Sequence, residues 1–161
     1  MVCYQLARIR SLHLDSYFDI FTTRDHSGSS GWIQFHDMIS SIKKFPQLQK
    51  LFWGVSDPEI GIHATAKMIE GLERFLGGVD DLVRCLKPRL MEFELAPSVA
   101  VFQALAKEAE NSGIQMEKSK VCPLLNCFWR SFDEDGTEAV GGRKLGYWIV
   151  RGHYREICYG L

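Results

Sequence analysis

Apolar residues recur at helical intervals along most of this chain. Residues 4–21 carry Tyr4, Leu6, Ala7, Ile9, Leu12, Leu14, Phe18 and Phe21, spaced mostly as on one face of a helix. Residues 22–31, TTRDHSGSSG, are polar and glycine-rich and read as a loop. The helical period resumes with Trp32, Phe35, Met38, Ile39 and Ile42. Lys43 and Lys44 suit a helix C-terminus, and Pro46 ends it. A further helix starts at Asp57, a cap candidate, with Pro58 at the first helical position and Glu59 in the first turn. It continues to about Leu76 and buries Met68, Ile69, Leu72, Phe75 and Leu76. Gly77-Gly78 breaks the chain there. Leu82, Val83 and Leu86 then predict a short helix ending before Pro88, and Leu90, Met91, Phe93 and Leu95 a partly buried connector to Pro97.

The next stretch, residues 101–114, places Phe102, Leu105, Ala106 and Ala109 on one stripe, and Gly113 stops the helix. Residues 116–132 carry Val121, Leu124, Leu125, Phe128, Trp129 and Phe132, which predicts a strongly buried helix. Residues 133–136 are a polar turn, and a last helix over about 137–160 carries Val140, Leu145, Trp148, Ile149 and Ile157. The pattern predicts an all-α fold in one domain, residues 1–161.

The order of these segments resembles the globins over most of residues 30–161. Globin helix F ends with a leucine, three residues, the haem-binding histidine, three residues, then glycine and an aliphatic. Leu105, Gly113 and Ile114 take those places, and Ala109 stands at the histidine's. A second register would put Leu90 there instead, and no histidine lies between His63 and His153. Pro46 and Phe52 have the spacing of a globin corner whose phenylalanine wedges the porphyrin. Residues 58–64 look like the distal segment, with His63 as the gas-facing candidate, although the phase of the stripe favours Ala64 with Met68 beside it. The resemblance implies a globin-like fold of about seven to eight helices, with an insertion between helices E and F. It implies a pocket lined by Phe52, His63, Ala64, Met68, Phe102, Leu105, Ala109, Ile114 and Phe128. Ala109 has no donor atom for iron, which removes the ordinary proximal ligand. The expected function is therefore a haem-free, globin-type sensor or interaction domain. An apolar small molecule would occupy the vestigial pocket, and the last two helices would serve a homodimer. A haem-binding globin with atypical ligation is the alternative.

Composition narrows the remaining classes. At 46% hydrophobic and 24% charged, the 161 residues have the make-up of a soluble globular domain. A formal net charge of −1 speaks against nucleic-acid or anionic-membrane partners. No apolar run has membrane-span length, and the charged N-terminus lacks a signal peptide's core, so a cytoplasmic protein is expected. The sequence leaves open whether the chain is a whole protein or a domain of a longer one; its abrupt end at Gly160-Leu161 hints at the second. Five scattered cysteines without a CxxC pair read as reduced, buried thiols rather than a disulfide framework or zinc site. Asp25 to Asp37 is similar to an EF-hand calcium loop, but Ser30, Trp32 and His36 fall where glycine, a hydrophobe and a bidentate carboxylate belong. No GxSxG, HExxH, P-loop or dinucleotide fingerprint is present, and the five histidines are spread without useful partners, so no enzyme is expected.

Overall fold

A computed structural model describes residues 6–17, 30–56, 66–87, 89–120, 122–131 and 145–152. Its elements are β1 (Ser11–Tyr17), α1 (Ser30–Ile42), β2 (Lys50–Ser56), α2 (Ala66–Leu86), β3 (Glu92–Pro97), α3 (Val99–Asn111), β4 (Glu117–Lys118), β5 (Asn126–Ser131) and β6 (Gly146–Val150). The strands form one six-stranded sheet in the order β1-β2-β3-β6-β5-β4. β1 pairs with β2, β2 with β3 and β3 with β6 in parallel; β5 alone runs the other way and pairs antiparallel with both β6 and β4. The fold is thus α/β, and the all-α, globin-like expectation is wrong. The sensor-globin function inferred from it falls as well.

One apolar core explains the layers. Alternate residues of the strands (Leu51, Trp53, Val55; Phe93, Leu95; Tyr147, Ile149; Phe128) join one cluster with buried residues of all three helices. The crossovers from β1 to β2 and from β2 to β3 carry α1 and α2, and both helices join the same core cluster, so they lie on one side of the sheet, as the shared handedness of parallel crossovers requires. Trp53 lies at the centre, stacked 5.9 Å from Phe35, which meets Phe75 at 5.1 Å. The Trp53 indole N–H donates to Ser16 Oγ at 2.9 Å, so its polar atom is satisfied inside the core. Burying each such ring contributes about 2–3 kcal/mol.

Several local readings hold. α1 and α3 lie where the helical period placed them, and Gly113 follows α3 with a φ of 80°. α2, however, runs straight through Gly77-Gly78. Its buried stripe of Leu72, Phe75, Leu76, Val79, Leu82, Val83 and Leu86 is strong enough to carry the glycines. A Cβ at Gly78 would stand 2.8 Å from the Phe35 ring, so this glycine lets α2 approach α1 closely.

Other segments are strands. Residues 11–17, read within a helix, alternate in burial as β1. The expected globin corner leads into β2, where Phe52 faces away from the helices while Leu51 and Trp53 face them. The connector at 92–97 is β3. The buried helix expected over 116–132 is β4, a loop and β5, and the last expected helix contributes β6. The second half of the calcium-loop candidate, residues 30–37, belongs to α1. Residues 25–29, 57–65, 133–136 and 153–161 lie outside the described residues, and with them the rest of that loop, the cap at Asp57 and the polar turn. Cys85 and Cys127 lie outside any disulfide, but Cys122 is disulfide-bonded, against the expectation of reduced thiols throughout. Among the described residues no helix is long and apolar enough to cross a membrane.

Candidate functional site

The sheet opens where its two halves meet. β3 and β6 pair only at Glu94↔Trp148 and Leu95↔Ile149. One position nearer their N-terminal ends, Phe93 and Tyr147 meet through their rings, with centroids 5.0 Å apart. Below that point β3 and β6 diverge and leave a cavity of about 360 Å³. The volume lies within the range of small-molecule sites. The end of α2 and the turn to β3 supply one wall; β5, β6 and the β4–β5 loop supply the other.

Trp129 and Trp148 form the aromatic part of this site. They are register partners on β5 and β6, and their rings meet edge-to-face at 5.3 Å and 76°. Both belong to the face opposite the helices and are half-buried. Gly146 makes their close placement possible. A Cβ there would collide with Arg130 O and lie 2.9 Å from Trp129 Nε1.

Charge in the cavity is mixed but uneven. Lys50, Lys87 and Lys120 face Glu92 and Glu94, three cations against two carboxylates. Lys50 is committed: its Nζ lies 3.0 Å from Glu92 Oε2, across register partners of β2 and β3. Glu94 is 4% exposed at the base. Lys87 and Lys120 are exposed and form no salt bridge among the described residues. The arrangement offers two ring faces or edges and two uncommitted ammonium groups, which suits a planar anion.

A second polar feature lies under the helices. Arg130 of β5 donates from Nε and Nη2 to the two Asp80 oxygens of α2, at 3.1 and 2.9 Å. The Tyr147 hydroxyl of β6 donates to Asp80 Oδ1 at 2.8 Å. Burial, then the Asp80 charge, pushes the Tyr147 phenol well above its ordinary value. Burial alone would lower the Arg130 pKa, but the Asp80 hydrogen bond and neighbouring charges outweigh it and raise it. This network clamps α2 to the antiparallel half of the sheet, at the floor of an open groove of about 770 Å³ between α2 and α3. Among its apolar lining residues Leu72, Leu76 and Leu105 are already buried and only the small Ala104 is half-exposed, so the groove presents little greasy surface.

The residues expected to line a haem-type pocket are scattered. Phe52 sits on the far face of the sheet beside His13. His63 and Ala64 lie outside the described residues; Met68 belongs to α2, and its side chain is not described. Phe102 and Phe128 meet in the core, 5.9 Å apart. Leu105, Ala109, Ile114 and Phe128 do come together, around a depression of about 190 Å³ under the end of α3. That is below the range of ordinary ligand cavities. The sequence reading noticed Trp129 and Trp148 but as helical core, and it passed over Lys87 and Lys120. The usable signal was the pair of short aromatic runs CFWRS and GYWIV, which are strand-like.

No known protein family, curated protein or solved structure matches the chain. Among the described residues no group of three or more His, Cys, Asp or Glu is placed to hold a metal ion.

Proposed function

We propose that this chain is a binding domain for a small anionic molecule carrying a planar ring, held in the cavity between the diverging starts of β3 and β6. The reading rests on one juxtaposition: the Trp129–Trp148 pair beside Lys87 and Lys120 in a cavity of about 360 Å³. The ring of the ligand meets the indoles, and its anionic group meets the lysines. Lys50 is held back by Glu92 and shapes the wall rather than the charge. Binding rather than catalysis is proposed, because the groups gathered here recognise charge and planarity and include no nucleophile paired with a base.

The four tryptophans make the test direct. Trp32 and Trp53 are buried in the helix-side core, whereas Trp129 and Trp148 border the cavity. Adenosine monophosphate and 2-naphthoate are titrated while the four indole N–H resonances are followed. The Trp129 and Trp148 signals shift and the other two stay, and Lys120→Ala weakens the response. Shifts spread evenly over all four, or none up to millimolar probe, refute the reading.

A further inference from the structure

A carboxylate lies at the base of a cavity read as a site for an anion. Glu94 lines that cavity and is only 4% exposed. Its strand neighbours Phe93 and Leu95 belong to the core under the helices, so Glu94 projects from the opposite face, that of the two indoles. It is the register partner of Trp148, which in turn pairs with Trp129, so the three residues form one row across β3, β6 and β5. Lys87 and Lys120 are exposed, whereas Trp129 and Trp148 are half-buried. The described wall is thus graded, with cations at the solvent, indoles below them and a carboxylate deepest. Glu92, the other carboxylate of that wall, is more open, its side chain 30% exposed, and it holds Lys50 at 3.0 Å.

That order fixes which way round a ligand sits and what its inner edge must carry. The anionic group takes the lysine end, because a like charge beside a buried carboxylate is strongly unfavourable in a low-dielectric site. The ring then lies against an indole with one edge turned toward Glu94. An edge of C–H groups or acceptor nitrogens strips the carboxylate of water and returns no hydrogen bond. An edge with N–H donors returns charge-assisted bonds instead. A carboxylate accepts at about four lone-pair sites over its two oxygens, so a partner already held leaves places for the ligand. Two adjacent donors match the two oxygens best, as the paired N–H groups of a guanidinium do. We infer that Glu94 is the specificity-determining residue of this cavity: it selects an anion built on a planar ring with two neighbouring N–H donors on one edge, the pattern of a 2-amino-6-oxopurine. The inference rests on the binding reading above and narrows it. The corresponding edge of adenine sets a ring acceptor beside a single amino group, and that acceptor meets the carboxylate with repulsion.

The test compares nucleotides of equal charge on the full chain, read from the Trp129 and Trp148 indole N–H signals. Guanosine monophosphate should bind about tenfold or more tighter than adenosine monophosphate, the scale of one hydrogen bond to a charged group. Inosine monophosphate keeps the ring N–H but lacks the 2-amino group, and should fall between them. Glu94→Gln keeps the shape of the side chain and removes its charge. It should bring guanosine monophosphate to within about threefold of adenosine monophosphate. 2-Naphthoate, which brings charge but no donor edge, should bind the variant no more weakly than the wild type. A misfolded variant weakens every probe together and moves the Trp32 and Trp53 signals, and the three nucleotides on the wild-type protein then decide. Equal affinity for the three nucleotides, or a guanosine preference that survives Glu94→Gln in a folded variant, overturns the inference and leaves the binding reading standing. No response of the cavity indoles to any probe refutes the binding reading, and this inference with it.

Discussion

Tyr147→Phe isolates the buried network in one atom. The Tyr147 ring is fully buried, and its hydroxyl donates to Asp80 Oδ1 at 2.8 Å. Removing the hydroxyl leaves the ring packed on Phe93 and leaves Asp80 its two bonds from Arg130. A hydrogen bond to a charged acceptor contributes about 1.5–3 kcal/mol, and the remaining Arg130 bonds place this one at the lower end, about 1.5–2 kcal/mol at neutral pH. The pH dependence is the sharper part. Burial first, then the adjacent Asp80 charge, raises the folded-state pKa well above the ordinary value. A group raised in the folded state contributes stability that is complete below its unfolded pKa, about 10 for tyrosine, and is lost as pH rises towards the folded value. The unfolded chain releases the phenolic proton first. The loss is about 0.4 kcal/mol at pH 10 and about 1.4 kcal/mol at pH 11. Phenylalanine has no such proton, so the gap between wild type and variant narrows to a few tenths of a kcal/mol by pH 11. Urea unfolding of both proteins at several values between pH 8 and pH 11 measures this gap, and other titrating groups cancel to first order in the difference. A gap that stays constant across that range refutes the account.

Four further substitutions test the packing. Gly77→Ala has open space around the added methyl and should stabilise α2 by up to about 1 kcal/mol, whereas Gly78→Ala drives a methyl to 2.8 Å from the Phe35 ring and should cost about 1–2 kcal/mol; thermal melts should move in opposite directions. Asp80→Ala strands a half-buried guanidinium and a buried hydroxyl, and should cost about 2–4 kcal/mol in denaturant unfolding, with a cost under about 1 kcal/mol counting against the clamp. Ser98 occupies the N-cap of α3 without a side-chain capping bond, and among the described residues its buried Oγ has no hydrogen-bond partner. Ser98→Ala should therefore change stability by less than about 0.5 kcal/mol, unlike the usual loss of about 1 kcal/mol at a capping serine.

The helices were legible because their information is local. Phe35, Ile39 and Ile42 in α1, and Phe102, Leu105 and Ala109 in α3, repeat within a few residues and face one side whatever lies beneath. Gly113 ends α3 for the same local reason, its left-handed backbone. The strands were not legible to a reading that sought helical intervals. β3 is buried from Phe93 through Pro97 on both faces, and such a run lacks the alternation that separates strand from buried helix. In β2, Leu48 and Leu51 mimic a helical step, although Leu48 belongs to the preceding turn and Leu51 to the strand. The candidate site depends on pairing over longer distances. Trp129 meets Trp148, Lys50 meets Glu92 and Arg130 meets Asp80 only because the parallel half of the sheet and its antiparallel return close on each other between β3 and β6. Sequence periodicity alone determined where the chain coils into α1 and α3 and which of their faces are apolar. Only the tertiary structure decided that those faces cover a sheet, because strand order and register are set by contacts between residues tens of positions apart, and those leave no periodic mark on the chain.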